Sequence, residues 1–263
     1  MSTGTVHGSS AGAGQPPSAG RPGVTAVFPA DVASDFCRSC ALSSACAMVG
    51  YGRPELSPLH GLMQHLGPYR AGETVFRQGD PFESVFAVRA GTVKTRQLDQ
   101  HGREHVLGFF LPGEVIGLDA IYPDRFPCDA VALEDAQFCR FSFPAMSELA
   151  TQQPAIQRHL FQLISRQLSM ARLLAGDHSA DERMAAFLVD LGERYAARGF
   201  PGTHFHLSMS RSDIANHLNL AAETVSRTLS RFRAKGLVVI KGRMLHLHAP
   251  EQLRELGQNL LVA

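Results

Sequence analysis

An α+β chain in three successive parts is predicted: a jelly-roll-like β-domain, one long helix, and a small helical unit closed by a β-hairpin. Three observations predict it. Between Gly67 and Phe143, short runs rich in β-formers alternate with glycine turns. From Pro154 to Ala175 the chain has no internal glycine or proline. After Ser179, capping boxes open short helices, and two apolar runs flank Lys241-Gly242-Arg243.

At 263 residues and 28.5 kDa the chain can bury two modest cores. A hydrophobic fraction of 44% beside 19% charged residues describes a soluble globular protein. The net charge of +1 hides an asymmetry: Phe205 to His248 holds seven Lys/Arg against two Asp/Glu, which leaves −4 elsewhere. A basic segment on a mildly acidic body points to a local polyanion site. No apolar run approaches membrane-spanning length and no signal core follows the N-terminus, so a cytoplasmic location is expected. In that reducing compartment five cysteines suit metal binding or redox sensing better than structural disulfides. The twelve histidines form no HxxxH or HExxH pattern, and no Walker, Rossmann or nucleophile-elbow motif is present. An enzyme is therefore not expected. A cupin-like metal catalyst would need several inward His or Glu on its strands, which the pattern does not supply.

Five segments follow in order. Residues 1–34 form a leader whose Gly, Ser, Ala and Pro cannot offset their ordering entropy, which predicts disorder. Residues 35–66 hold a cysteine cluster and a connector with a short helical piece. Residues 67–150 form the β-roll. Its strands are expected at Thr74–Phe76, Ser84–Val88, Thr92–Thr95, His105–Phe110, Asp129–Leu133 and Phe138–Phe141, followed by a brief helix over Pro144–Ala150. Residues 151–178 carry the long helix, a rod of roughly 33 Å at about 1.5 Å per residue. On it Leu160, Ile164, Leu168, Ala171 and Leu174 step by four and three, the seam of a coiled coil. Ile156, Leu163 and Met170 mark a neighbouring stripe. One stripe can pack on its own chain and the other on a second copy, which predicts a homodimer.

Residues 179–263 begin with the capping box Ser179–Glu182 and continue through a second, Ser210–Asp213. A helix over Arg211–Leu218, a tight turn at Asn219-Leu220, a second helix from Ala222 to Lys235 and a basic-tipped hairpin make a winged helix-turn-helix. Near the N-terminal end of that second helix, Glu223, Ser226 and Arg227 share one face. Arg can hold guanine O6 and N7, and Glu can accept from the cytosine amino group. Ser226 is short enough for a neighbouring base or a phosphate. Arg231, Arg233, Lys235, Lys241 and Arg243 suit phosphates, which set affinity without reading sequence. Double-stranded DNA is the expected partner.

Cys37-x2-Cys40-x5-Cys46 puts three thiols in one short loop. Iron–sulfur clusters are usually held by four cysteine thiolates, so a fourth ligand must come from elsewhere. On chemistry alone Cys128 and Cys139 are candidates, with His60 and His65 behind them. Zinc could use four cysteines, but the five-residue gap and the single distant partner fit it less well. Metal-free thiol–disulfide sensing would not need three clustered ligands and a fourth.

Asp213 to Phe232 resembles the helix-turn-helix of the cyclic-AMP receptor protein and FNR superfamily. Glu223 and Arg227 match the general pattern, while Ala222 and Ser226 match its FNR branch, the fumarate and nitrate reduction regulators. The resemblance runs from about Asp35 to the C-terminus. It implies an oxygen-responsive regulator that binds a palindrome resembling TTGAT-N4-ATCAA, one half-site per subunit. It also implies a 4Fe–4S cluster on Cys37, Cys40, Cys46 and Cys139, since the family's fourth cysteine follows an Ala-Leu-Glu such as Ala132-Leu133-Glu134. Cys128 matches no ligand position. The polar turn around Gln100-His101-Gly102-Arg103 lies where the family touches RNA polymerase. Ala221 departs from the pattern, since relatives often carry a helix-capping hydroxyl there; its loss costs about 1 kcal/mol. Gly113-Glu-Val-Ile-Gly117 is similar to the start of a cyclic-nucleotide phosphate cassette, but the expected Arg-Ser/Thr is replaced by Phe126-Pro-Cys-Asp-Ala. A phosphate without its bidentate arginine binds poorly. The alternative is a cluster-free superfamily member answering to a small molecule or thiol oxidation.

Overall fold

The computed structural model describes residues 63–173 and 176–261. Eight strands build the first half: β1 (Met63–Tyr69), β2 (Thr74–Phe76), β3 (Ser84–Ala90), β4 (Val93–Leu98), β5 (Glu104–Phe110), β6 (Val115–Ile116), β7 (Asp129–Ala132) and β8 (Ala136–Ser142). They form two four-stranded antiparallel sheets, ordered β1-β8-β3-β6 and β2-β7-β4-β5. This is the jelly-roll-like β-roll that the glycine-punctuated runs predict.

Two strands lie outside the expected set. β1 occupies Met63–Tyr69, where the connector and its helical piece were expected to reach Leu66. Among the described residues it pairs only with β8, and its register slips between Leu66 and Tyr69, where Gly67 and Pro68 sit. An edge strand tolerates a proline there, because the missing N–H is not needed by a second neighbour. Gly67 lies at φ 111, and a Cβ on it would stand 2.9 Å from the Ala136 carbonyl oxygen. The short β6 escapes periodicity because two residues make no pattern.

Phenylalanine fills the roll. Phe76 and Phe126 stack with ring centroids 3.9 Å apart, and Phe82, Phe86, Phe138 and Phe141 pack around them. Phe126 is buried, while the neighbouring Arg125 turns outward and donates to the Gly79 carbonyl.

Helix α1 (Phe143–Gln152) leads into α2 (Pro154–Leu173) with Gln153 between them. Ile156 is buried in the β-roll core, and Leu160 and Leu163 pack against it. Phe161, Ile164 and Leu168 face outward, 62%, 37% and 55% exposed. The outward row is thus displaced by one residue at its start. Leu160 is taken up by its own β-roll, and Phe161 stands in its place at the same three-and-four spacing. Leu174 and the side chain of Ala171 lie outside the described residues.

The second half consists of α3 (Ala180–Ala196), β9 (His204–His206), α4 (Arg211–His217), α5 (Ala222–Ala234), β10 (Val238–Lys241), β11 (Met244–Leu247) and α6 (Pro250–Gly257). Both capping boxes form: Ser179 with Glu182 and Ser210 with Asp213 each exchange side-chain and backbone bonds. β9 joins the hairpin as a third strand, in the order β10-β11-β9. α4, the turn through Asn219 at φ 54, α5 and this sheet make the winged helix-turn-helix. α6 closes the unit against α3, where Gly257 allows contact so close that a Cβ would lie 2.7 Å from the Ala186 nitrogen.

The apolar core of this half includes Val106, Phe109 and Leu111 from β5 and the residues just after it. Phe109 meets Phe187 and His217 edge-on, with centroids 6.0 and 5.2 Å away.

Candidate functional site: a DNA-reading face and a cysteine site

α5 has a sharply divided surface. Val225, Thr228, Leu229 and Phe232 are buried, which fixes the helix's rotation and turns Glu223, Ser226 and Arg227 to solvent. The Arg227 guanidinium stands 3.1 Å from the Glu223 carboxylate, an exposed i,i+4 pair. Such a pair contributes only about 0.3–0.5 kcal/mol, so DNA can displace it at little cost. Ser226 Oγ donates to the Ala222 carbonyl at 3.0 Å. Ala221 sits at the N-cap with no side-chain bond to the helix, as the missing hydroxyl implies.

The five basic residues expected at phosphates fall into two groups. Arg233, Lys235 and Lys241 are exposed at the end of α5 and the tip of the wing. Arg231 instead pairs with Asp181 on α3 and donates to Thr228 Oγ1 at 2.9 Å. Arg243 donates to the Ser208 carbonyl at 3.0 Å. These two brace the unit through one guanidinium nitrogen each, and both side chains remain exposed. Lys241→Ala is expected to weaken binding on every sequence alike and to reduce the salt slope by about 0.9. Affinities measured across a salt series check this; an unchanged slope would remove the wing tip from the phosphate contacts.

Cys37, Cys40 and Cys46 lie outside the described residues, as does His60. Cys139 is on β8, between β1 and β3, and only 3% exposed. Its cross-strand neighbours are His65 on β1 and Ala87 on β3. Its Sγ lies 3.8 Å from His65 Nδ1, which in turn lies 3.4 Å from an Arg89 guanidinium nitrogen. Two of the sequence candidates, Cys139 and His65, are thus neighbours. Cys128 differs. It is fully buried, and its thiol donates to Asp119 at 3.5 Å. Burial, and then the Asp119 charge, push that thiol far above its ordinary range, so it stays protonated.

Among the described residues no group of three His, Cys, Asp or Glu side chains could hold a metal ion. A cluster on Cys139 therefore needs donors from upstream of Met63. Cys46 precedes Met63 by 17 positions, roughly 55–60 Å if extended, and β1 lies directly beside Cys139. Reach and donor chemistry both fit an iron–sulfur group.

The turn from Asp99 to Arg103 is held by one carboxylate. Asp99 accepts from the His101 and Arg103 backbone N–H groups at 2.8 and 2.9 Å and from Arg103 Nε at 2.6 Å. These bonds, led by the Arg103 backbone N–H, bring its pKa down to about 2.

A β-roll joined by a long helix to a winged helix-turn-helix defines a DNA-binding transcription regulator with an attached sensor. Residues 67–153 match the family described as "Cyclic nucleotide-binding domain", and residues 182–256 match "Crp-like helix-turn-helix domain". The chain is 40% identical over 220 residues to the transcriptional activator protein Anr of Pseudomonas protegens, covering 82% of this chain and 90% of that one. It is 34% identical over 224 residues to the fumarate and nitrate reduction regulatory protein of Escherichia coli K12, covering 84% and 90%. Among solved structures, FixK2 from Bradyrhizobium japonicum is similar with a TM-score of 0.66 at 30% identity, covering 76% of this chain and 97% of that one. The chain belongs to the fumarate and nitrate reduction regulators of the cyclic-AMP receptor protein/FNR superfamily, which are transcription factors and not enzymes.

Proposed function

We propose that this chain is an oxygen-responsive, cytoplasmic regulator. In this reading its dimer binds a TTGAT-N4-ATCAA-like palindrome when oxygen is scarce. The observation that carries the reading is the exposed Glu223–Ser226–Arg227 face at the N-terminal end of α5. Arg227 donates to guanine O6 and N7, and Glu223 accepts from the paired cytosine amino group. Ser226 leaves the Ala222 carbonyl for a base or phosphate. Arg233, Lys235 and Lys241 take phosphates directly, joined by Arg231 and Arg243 through their remaining guanidinium donors. Phe161, Ile164 and Leu168 on α2 form the row that a second copy covers. The rigid turn at Gln100–Arg103 presents a contact to RNA polymerase.

Cys37, Cys40, Cys46 and Cys139 hold a 4Fe–4S cluster in this reading. When bound, the group supplies an oxygen-labile crosslink between the chain before Met63 and β8. β8 runs directly into α1, and α1 into α2, so a constraint on Cys139 bears on the helix that pairs. A switch needs such a two-state element, with the ligand favouring one state.

Anaerobic purification tests the reading, followed by an absorption spectrum, iron and sulfide analysis and sizing before and after air. The expected preparation is brown, dimeric and operator-binding, and air turns it into a colourless monomer. A colourless protein that binds the operator equally with and without oxygen would overturn it in favour of a cluster-free regulator.

A further inference from the structure

Among the described residues β5 is an edge strand: it pairs with β4 alone, so its outer row of N–H and C=O groups is open to another partner. The DNA-reading half supplies that partner through side chains. Asn216 Oδ1 accepts from the Val106 N–H at 2.7 Å, and Asn216 Nδ2 donates to the Glu104 carbonyl at 2.5 Å. The His217 ring nitrogen Nδ1 lies 3.3 Å from the Val106 carbonyl, and Arg194 donates to the Phe109 carbonyl at 2.5 Å. One carboxamide on α4 thus imitates a strand, pairing with a donor and an acceptor two residues apart.

Two charged clusters flank this row. Lys94 Nζ on β4 lies 2.5 Å from both Glu104 on β5 and Asp213, the capping acid of α4. Beyond the other end of β5, the buried Glu114 carboxylate meets Arg194 at 2.5 and 2.9 Å and Arg198 at 2.8 Å. It also accepts the Leu111 N–H at 2.9 Å. Burial alone would raise this carboxyl, but the two guanidiniums reverse the effect and hold it below its ordinary value.

On the head's side these contacts come from α3, from Arg198 in the turn just after it, and from α4, and α4 is joined to α5 by one short turn. We infer that Asn216, with Lys94 and Glu114 on the sensor side, are positioning residues that lock the reading head to β5. The β-roll thereby sets where each α5 points and so which half-site spacing a dimer accepts. This rests on the palindrome reading above. Paired helix-turn-helix heads must meet half-sites about 34–36 Å apart, and heads held only by the chain would tolerate other separations.

The test uses the full chain, prepared anaerobically, as Asn216→Ala and as Lys94→Met/Glu114→Gln, which leaves the head's own residues intact. Affinity is measured on palindromes with N4 and N6 spacers and on a single half-site. Hydrogen exchange is followed at the Val106 amide. The wild-type chain is expected to favour N4 by about tenfold or more. Both variants should bring that preference within about threefold, keep half-site binding, and exchange the Val106 amide at least about tenfold faster. Unchanged spacing preference in variants whose Val106 amide has lost protection would overturn the inference, as would an amide that stays protected in Asn216→Ala. A wild-type chain that ignores the palindrome altogether would overturn the functional reading instead, which the half-site and exchange data separate from failure of the lock.

Discussion

Cys139→Ala is expected to yield a folded chain that assembles no iron–sulfur cluster, whereas Cys128→Ala assembles it normally. The contrast follows from the two environments. Cys139 sits on β8 beside β1, the strand that leads back to Cys46, and its sulfur faces His65 near that edge. Replacing it by alanine removes one buried sulfur and leaves the strand's pairing with β1 and β3 intact. Cys128 is sealed in the core with its proton directed at Asp119 and raised far from the thiolate form that a metal requires. Losing that thiol removes one hydrogen bond to Asp119, whose carboxylate still has its own backbone N–H and solvent, a cost of about 0.5–1.5 kcal/mol in stability. Iron and sulfide content per chain, measured on anaerobic preparations of both variants, checks the pair. Equal loss in the two would mean the ligand assignment is wrong.

Arg227→Ala is expected to lower operator affinity by about 1–3 kcal/mol and to relax the choice at its guanine. Its guanidinium is exposed, and its partner Glu223 is equally accessible, so neither group supports the fold. The loss should therefore appear in binding and not in thermal stability. Titration against the palindrome and against versions altered at that base separates lost readout from lost affinity. A variant that still prefers the palindrome as strongly would show that this side chain does not read it.

The face of α5 is legible in the sequence because its inside is marked. Val225, Leu229 and Phe232 recur at helical spacing, and the polar triad must lie opposite. The β-roll is legible for a similar reason, since glycines at positive φ bound its strands, as at Gly91 and Gly113. What escapes is set by distant pairing. Arg231 and Asp181 are 50 residues apart, and nothing near Arg231 announces this partner. His65 and Cys139 are 74 residues apart, brought together only by the β1–β8 register. β1 itself, Met-Gln-His-Leu-Gly-Pro-Tyr, has neither alternation nor β-branched residues, and it is a strand because β8 offers an open edge. The helical rod is legible in length, yet which of Leu160 and Phe161 turns outward depends on a β-roll surface that local spacing does not encode.

The shared use of β5 has a consequence for how the molecule can be divided. Its ladder belongs to one half, while Val106, Phe109 and Leu111 complete the oily interior of the other. A fragment beginning at Ser179 would lose that covering and bare Phe187 and the neighbouring His217 to water. The reading head is therefore not a detachable module, and trimming the regulator to its DNA-binding end removes part of that end's own lining.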